Sequence, residues 1–209
     1  MDVHGMLSPL FHLFAFGLVF VGSFAHADSP WKETGVQNSV RYEERAIDGS
    51  KFREYRATFI VTADLHAALE VVWSIVTAYP DGGHTNRSIL RQGPRELLVY
   101  DRISTPVVSD RDLTLLIERD DGKFPQVHFH DRNELGPPPD AKYVRLPSVR
   151  GSWSVEALPS PTNAPQSRLT LVCYSEPGGT VPAFVVRGTQ AKIAVHDAER
   201  VRSLLPAPR

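Results

Sequence analysis

The sequence predicts an α+β fold in which a curved antiparallel sheet of about seven strands wraps around a long C-terminal helix. Three observations support this prediction. Segments that alternate apolar and polar residues fill most of the chain, one long helical segment interrupts them early, and a second ends the chain. Helices segregated from an antiparallel sheet define the α+β class. Because a sheet with one apolar face curls, we expect the last helix to cover its concave side.

The composition fits a single globular domain of ordinary size. The chain has 209 residues, of which 42% are hydrophobic and 22% are charged, and its formal net charge is -1. No block of Lys and Arg stands out, which argues against nucleic-acid binding and against a polybasic membrane patch. The single cysteine, Cys173, excludes an intramolecular disulfide, and its apolar strand context predicts a buried structural thiol.

Residues 1–27 are expected to be a signal peptide, which leaves residues 28–209 as one domain. The stretch 7–25 is almost wholly apolar and leads into Ala25-His26-Ala27, a small-x-small pattern typical of a cleavage site. We therefore expect export to the periplasm or the extracellular space. The alternative is an uncleaved N-terminal anchor, because no Lys or Arg precedes the apolar run, but that run is short for a membrane span.

The first half of the domain is predicted to contain a short helix, a hairpin and a longer helix. The short helix is expected at residues 30–33. Residues 40–47 and 52–61 have the pattern of two strands, joined at a strong Asp-Gly-Ser turn signal. Asp64 can cap a helix that runs to about residue 78.

The second half is predicted to be a run of strands followed by the C-terminal helix. Residues 80–88 are polar and give no clear pattern. Five strands are then expected, at residues 97–103, 112–118, 126–131, 143–158 and 168–175. The helix is expected from Val181 to Leu205, before Pro206. Its apolar face is mostly small, which is typical either of a tightly packed core helix or of one wall of a ligand cavity.

Three segments resemble the START lipid-transfer domains. Tyr100-Asp101-Arg102 through Pro106-Val107-Val108-Ser109-Asp110-Arg111-Asp112 resembles the central hairpin of that family. Arg150-Gly151-Ser152-Trp153 resembles one of its strands, and Glu176-Pro177-Gly178-Gly179 resembles its Asp-Pro-Gly-Gly turn, with Glu in place of Asp. The resemblance spans about residues 31–205. It implies the helix-grip fold, shared with polyketide cyclases, in which the sheet and the C-terminal helix enclose a pocket for lipids or sterols.

The resemblance implies a cavity wall but no catalytic residues, because the family shares none. The candidate ligand-binding residues are inward-facing strand residues and the apolar face of the last helix: Leu113, Leu115, Val127, Phe129, Trp153, Leu171, Cys173, Phe184, Gly188, Ala191 and Val195. Arg145 and Arg150 are candidate polar contacts for a carboxylate or hydroxyl of the ligand, although an outward orientation is more frequent for Arg.

Other chemistry finds little support in the sequence. His128 and His130 share one face of a strand, as zinc ligands could, but no third ligand accompanies them, so we expect no metal and no cofactor. Asp110, Arg111 and Asp112 suggest an ion-pair cluster that fixes a turn.

Two classes of function remain, together with a simpler alternative. The first is a non-enzymatic carrier of a hydrophobic small molecule, with transient membrane contact. The second is an enzyme of the cyclase or dehydratase type that uses acid and base groups in the same cavity. An interaction module without a pocket is the third interpretation, which would apply if large side chains fill the space under the helix.

Overall fold

The computed structural model describes residues 29–78, 85–104, 108–160 and 164–205. In the C-terminal helix it describes the backbone throughout. For five residues it describes nothing beyond the backbone: Val185, Arg187, Gly188, Gln190 and Ala191. The expected signal peptide therefore lies outside the described residues. In the described part of the chain, no helix is both long enough and apolar enough to cross a membrane.

Ten strands, two α-helices and one short 3-10 helix make up the described structure. In chain order they are β1 (Lys32–Gln37), β2 (Val40–Ala46), β3 (Arg53–Val61), α1 (Leu65–Thr77), β4 (Thr85–Gln92), β5 (Glu96–Ile103), β6 (Arg111–Asp120), β7 (Gln126–Asp131), the 3-10 helix Asn133–Leu135, β8 (Val144–Arg145), β9 (Ser148–Leu158), β10 (Gln166–Glu176) and α2 (Ala183–Leu204).

All ten strands belong to one sheet. The strand order is β1-β2-β3-β10-β9-β7-β6-β5-β4, with antiparallel neighbours, while β8 pairs with the start of β6 in parallel. The N-terminal hairpin meets the last strand in the middle of the sheet, where Tyr55 of β3 lies opposite Cys173 of β10. Residues more than 100 positions apart in the chain are thus paired at the centre of the sheet.

Both edge strands of the sheet contain a β-bulge. In β1 the register with β2 shifts between Glu33 and Gly35, which leaves Thr34 without an opposite residue. In β4 the register with β5 shifts between Ile89 and Arg91. A bulge bends its strand and increases the local twist, so neither edge is a straight row of free backbone groups.

Both helices cover the same face of the sheet. The helix α1 begins at Asp64, whose Oδ1 accepts a hydrogen bond from the Ala67 amide at 2.8 Å, and it packs against β6, β7, β9, β10 and α2. The helix α2 contacts β2, β3 and α1. Beneath them, Phe59 and Trp153 meet edge to face with ring centroids 6.1 Å apart, a geometry favoured by aromatic pairs.

The predicted fold class, hairpin and both long helices are confirmed, but two local predictions are wrong and one strand was missed. The segment expected to be a short helix leads into β1 instead, because residues from Lys32 onward pair with β2. The guanidinium groups of Arg45 and Arg56 each lie 4.6 Å from the centroid of the Trp31 ring. The strand β4 was not predicted. The single strand expected at 143–158 is split into β8 and β9 around Pro147, which lacks an amide donor.

Candidate ligand-binding cavity

A cavity of about 490 Å³ lies between the concave face of the sheet and α2. This volume falls within the range of about 300–1,000 Å³ that small-molecule sites usually have. Six of the residues proposed from the sequence line it: Leu113, Leu115, Phe129, Trp153, Leu171 and Cys173. They come from β6, β7, β9 and β10, where period-two alternation turns every second side chain toward the helices.

The helix α2 contributes a second wall. Val186, Thr189, Ile193 and Asp197 line the cavity at steps of three and four residues, so they form one stripe. A different stripe, made of Ala194, Val195, Ala198 and Val201, is buried in the core. The packed stripe lies toward the C-terminal end of α2, and the cavity stripe extends to its N-terminal end.

The remaining proposed residues of the wall lie elsewhere or are not described. Val127 is fully buried in the core, and Val195 packs there as well. Phe184 is exposed to solvent over 75% of its surface. For Gly188 and Ala191 only the helical backbone is described, so their predicted contact with a ligand lies outside what the structure describes.

The two arginines proposed as polar contacts do not line the cavity. Arg145 donates hydrogen bonds to both carboxylate oxygens of Asp112, which also accepts one from the Tyr100 hydroxyl at 2.9 Å. Burial opposes ionisation of Asp112, but the bonds from Arg145 and Tyr100 outweigh it and lower its pKa. Arg150 lies over the ring of Tyr174, 4.3 Å from the centroid. Both arginines therefore have structural partners away from the cavity wall.

Gly151 allows the ring of Phe129 to lie close to the neighbouring strand on the sheet side of the cavity. Phe129 lines the cavity, and a Cβ atom on Gly151 of the neighbouring strand would lie 2.4 Å from Cζ of its ring. The same atom would lie 2.4 Å from the backbone oxygen of Val172. Glycine is thus required here for the close approach of a ring and a strand, which explains its place in the Arg-Gly-Ser-Trp segment.

An internal ion pair closes one side of the cavity. Arg87 of β4 and Asp101 of β5 form a two-pronged pair, with Nε to Oδ1 at 2.8 Å and Nη2 to Oδ2 at 2.7 Å. Both side chains are only 6% exposed. Arg87 Nη1 also donates to the backbone oxygens of Val76 and Ala78, at the end of α1. This pair ties the edge of the sheet to the helix, so its charges are internally satisfied.

Arg111 lines the cavity where the sheet meets the turn before α2. Its guanidinium donates to the backbone oxygens of Ser109 and Pro177. The turn depends on Gly178 and Gly179, whose φ angles of 65° and 58° are in the left-handed region that favours glycine. Arg111 therefore anchors the turn that sets the direction of α2. The turn belongs to the segment that resembles the START domains.

A second set of polar residues on the cavity wall lies around Asp197. Burial raises the pKa of this carboxyl to about 6, although the charges of His196 and Arg200 act in the opposite direction. Across from it, Tyr55 lies beside Cys173. Burial, the neighbouring thiol and the charge of Asp197 raise the pKa of Tyr55 well above its ordinary value. Burial also raises the pKa of Cys173 to about 12, so its thiol is neutral at physiological pH.

The charged residues of the wall were not predicted as site residues. Arg87, Asp101, Arg111 and Asp197 all line the cavity. The spacing of Asp197 from Ile193 and Thr189 was the signal in the sequence that could have placed it there. Among the described residues, no group of three or more His, Cys, Asp and Glu side chains is placed to hold a metal ion.

The comparisons with known proteins identify the fold. The chain matches no family model and no curated protein. Among solved structures, it is similar to a STAR-related lipid transfer protein from Xanthomonas axonopodis, with a TM-score of 0.67 and 20% identity over 84% of this chain and 98% of that one. It is also similar to human StAR-related lipid transfer protein 5, with a TM-score of 0.61 and 17% identity over 84% of this chain and 86% of that one.

A more distant neighbour is the Zhui aromatase/cyclase from a Streptomyces species. Its TM-score is 0.50, with 14% identity over 72% of this chain and 92% of that one. The structural neighbours are thus START-type lipid transfer domains, with polyketide cyclases further away. The chain thus has the same helix-grip fold as these structures, as the resemblance in the sequence implied. At such low identities the likeness is one of fold.

Proposed function

We propose that this protein binds a hydrophobic small molecule, such as a lipid or a sterol-like compound, in the cavity under α2 and carries it without changing it chemically. The observation that carries the proposal is an apolar cavity of about 490 Å³ in a fold whose solved examples include lipid transfer proteins. A preformed apolar cavity is the usual site for such a ligand.

The composition of the wall supports binding over catalysis. Leu113, Leu115, Trp153 and Leu171 give the ligand an apolar surface, and burial of such surface contributes about 25 cal/mol per Å². The ion pair of Arg87 and Asp101 is internally satisfied, so it adds little free charge to the cavity. A carrier needs this combination of shape and apolar area and needs no pair of reacting groups.

An enzyme of the cyclase or dehydratase type is the second candidate. The observation in its favour is the Asp197 carboxyl, whose pKa is raised by burial to about 6, close to the value that suits a general base near neutral pH. Tyr55 lines the cavity from β3, across from Asp197. The high pKa of Tyr55 makes it a poor acid at neutral pH, which is why we favour the carrier.

The proposal includes export and exchange with membranes. The apolar segment before Ala27 supports a periplasmic or extracellular location. Phe184 and Ile193 expose apolar surface on α2, the helix that forms one wall of the cavity. Such surface suits brief contact with a lipid surface, where a carrier takes up or releases its ligand.

The test is native mass spectrometry of the purified protein, followed by extraction of the bound molecule. The expected result is a protein peak with an added mass that disappears after extraction with organic solvent. When the extracted hydrophobic compound is incubated with the protein for a long time, its own mass should not change. Recovery of a product with a changed mass would favour the enzyme. N-terminal sequencing of the same sample is expected to begin at Asp28.

A pair of matched variants connects the bound molecule to the cavity. Ser175 lines the cavity on β10, whereas Ser152 lies on the opposite face of the neighbouring strand β9. Ser175→Trp is expected to fill the cavity and to remove the added mass, and Ser152→Trp is expected to retain it. If both variants keep the ligand, the ligand binds elsewhere and the proposal is wrong.

A further inference from the structure

Asp197 occupies an unusual position on the cavity wall. Its side chain continues the stripe of Thr189 and Ile193 and lines the cavity. Among the described residues, no hydrogen bond or ion pair reaches its carboxylate. A carboxylate removed from water without a partner costs free energy, which a donor supplied by a ligand would recover.

The other charged residues of the wall have protein partners. Arg87 and Asp101 hold each other, and Arg111 donates to two backbone oxygens. The guanidinium of Arg111 is held by the backbone oxygens of Ser109 and Pro177. The charges that act on Asp197 are those of His196 and Arg200 instead. Arg111 is therefore not the counterion of Asp197.

The groups around Asp197 define what it can bind. Tyr55 and Cys173 face it from β3 and β10, and both are neutral at pH 7 because burial raises their pKa values. His196 and Arg200 neighbour it on α2 itself. The carboxylate thus meets a neutral, polar surface across the cavity.

We propose that Asp197 accepts a hydrogen bond from a hydroxyl group of the ligand, so that the protein selects hydrophobic alcohols over molecules of the same size that lack a hydroxyl. This inference rests on the proposed function, since it names the class of ligand that the cavity takes.

A hydroxyl suits the site better than an ammonium or a carboxylate group. Burial has already removed part of the hydration of the carboxylate in the folded protein, so the main further cost for a neutral donor is the loss of its own water. An ammonium group would add a second buried charge, whose desolvation costs several kcal/mol. A ligand carboxylate would be repelled by Asp197. A hydrogen bond to a charged acceptor is about twice as strong as one between neutral groups, which is enough for selection.

The experiment measures how well four matched probes displace a fluorescent hydrocarbon, diphenylhexatriene, from the purified protein. Dodecanol, dodecyl methyl ether, dodecylamine and dodecanoate share one chain and differ in the polar end. Diphenylhexatriene has no polar group, so its own binding reports on the apolar cavity independently of Asp197.

Dodecanol is expected to bind the native protein at least about tenfold more tightly than the ether does. The amine and the acid are expected to bind more weakly than the alcohol. In Asp197→Leu the alcohol and the ether should bind equally, and Asp197→Asn, which keeps a neutral acceptor, should retain part of the preference. Glu199→Gln removes a carboxylate from the same helix outside the cavity wall and should behave like the native protein. All variants should still bind diphenylhexatriene.

Each other result overturns the inference in a distinguishable way. Equal displacement by the alcohol and the ether from the native protein would show that Asp197 does not select a hydroxyl, while the proposed carrier function stands. A preference for dodecylamine that disappears in Asp197→Asn would assign the carboxylate to a cationic ligand instead. If diphenylhexatriene itself does not bind, the proposed function fails and this inference fails with it.

Discussion

The two ends of α2 meet the rest of the molecule in different ways. Toward the C-terminal end, Ala194, Ala198 and Val201 are almost completely buried, and the small side chains let the helix lie close to its neighbours. Toward the N-terminal end, Val186 and Thr189 face an open cavity instead of a packed neighbour. One helix is therefore both a core element and a wall of the cavity, and the same increase in side-chain volume should cost much more stability at the packed end than at the cavity end.

The largest expected effect is a substitution that adds volume to the packed end. Ala198→Phe should lower the free energy of unfolding by about 3 kcal/mol, because a ring cannot fit into a filled core without moving the helix. Val186→Phe should change it by less than about 0.5 kcal/mol, because the added ring enters the cavity. Urea denaturation of both variants measures the difference. Equal losses would mean that α2 is packed along its whole length.

The sheet side of the cavity allows a second comparison between a tightly packed position and one with free volume around it. Gly151→Ala should destabilise the protein by about 2 kcal/mol, because the new methyl group collides with the ring of Phe129 and with the backbone oxygen of Val172. Gly35→Ala is the control, since its added methyl meets nothing within 4 Å. Thermal unfolding of the two variants should separate them by several degrees. A neutral Gly151→Ala would mean that the Phe129 ring moves freely into the cavity.

Asp197 is the last residue of α2 that lines the cavity, and its carboxyl should make the stability of the protein depend on pH. Burial raises its folded-state pKa to about 6, whereas an unfolded Asp titrates near 3.9. Between these two pH values the folded protein holds a proton on Asp197 that the unfolded chain has lost. The ionised carboxylate therefore lowers the free energy of unfolding by its full amount above pH 6, and this destabilisation disappears as the pH falls toward 4.

The neutral variant should reveal that penalty. Asp197→Asn should stabilise the empty protein by about 2 kcal/mol at pH 7.5 and by only about 0.5 kcal/mol at pH 4. Chemical denaturation of both proteins at the two pH values provides the measurement, with the ligand removed beforehand. A stabilisation that is equal at both pH values would mean that the carboxyl keeps an ordinary pKa.

The smallest expected effect concerns the cavity thiol. Cys173→Ser should cost about 1 kcal/mol and should leave binding of a hydrophobic probe unchanged, because the side chain only lines the wall. Since burial raises the pKa of the Cys173 thiol to about 12, the native protein should react with a thiol reagent at pH 8 far more slowly than the urea-unfolded chain does. Fast labelling of the folded protein would indicate an accessible thiolate.

The sequence predicted those elements whose two faces differ. On β3 and β10 one face is more buried than the other, and the alternation assigned the apolar residues of that face to the interior. The edge strand β1 is largely exposed on both faces, and the inward residues of β4 are polar, so neither strand has the apolar alternation that marks a strand. The strand β8 is only two residues long, too short for any periodicity. What was missed is thus the part of the sheet without an apolar inward face.

The same reasoning explains which cavity residues could be predicted. Apolar residues such as Leu113 and Trp153 follow the alternation that points toward the core, so they were placed on the inner face, and the resemblance to START domains implied that this face lines a cavity. A polar residue in a helix is normally assigned to solvent, so Asp197 was not among the candidate site residues. A cavity accepts both kinds of side chain, so periodicity cannot distinguish its wall from the outer surface.

The bulges in β1 and β4 matter for how this chain reaches its folded state. The central pairing of β3 with β10 joins residues more than 100 positions apart, and contacts of such long range form slowly. During that delay, partly assembled sheets expose edges that can pair with other chains and aggregate. Two kinked edges, with Lys32 and Glu33 on one and Arg87 and Arg91 on the other, are poor templates for a further strand. We therefore expect the bulges to reduce pairing between chains while the centre of the sheet is still forming.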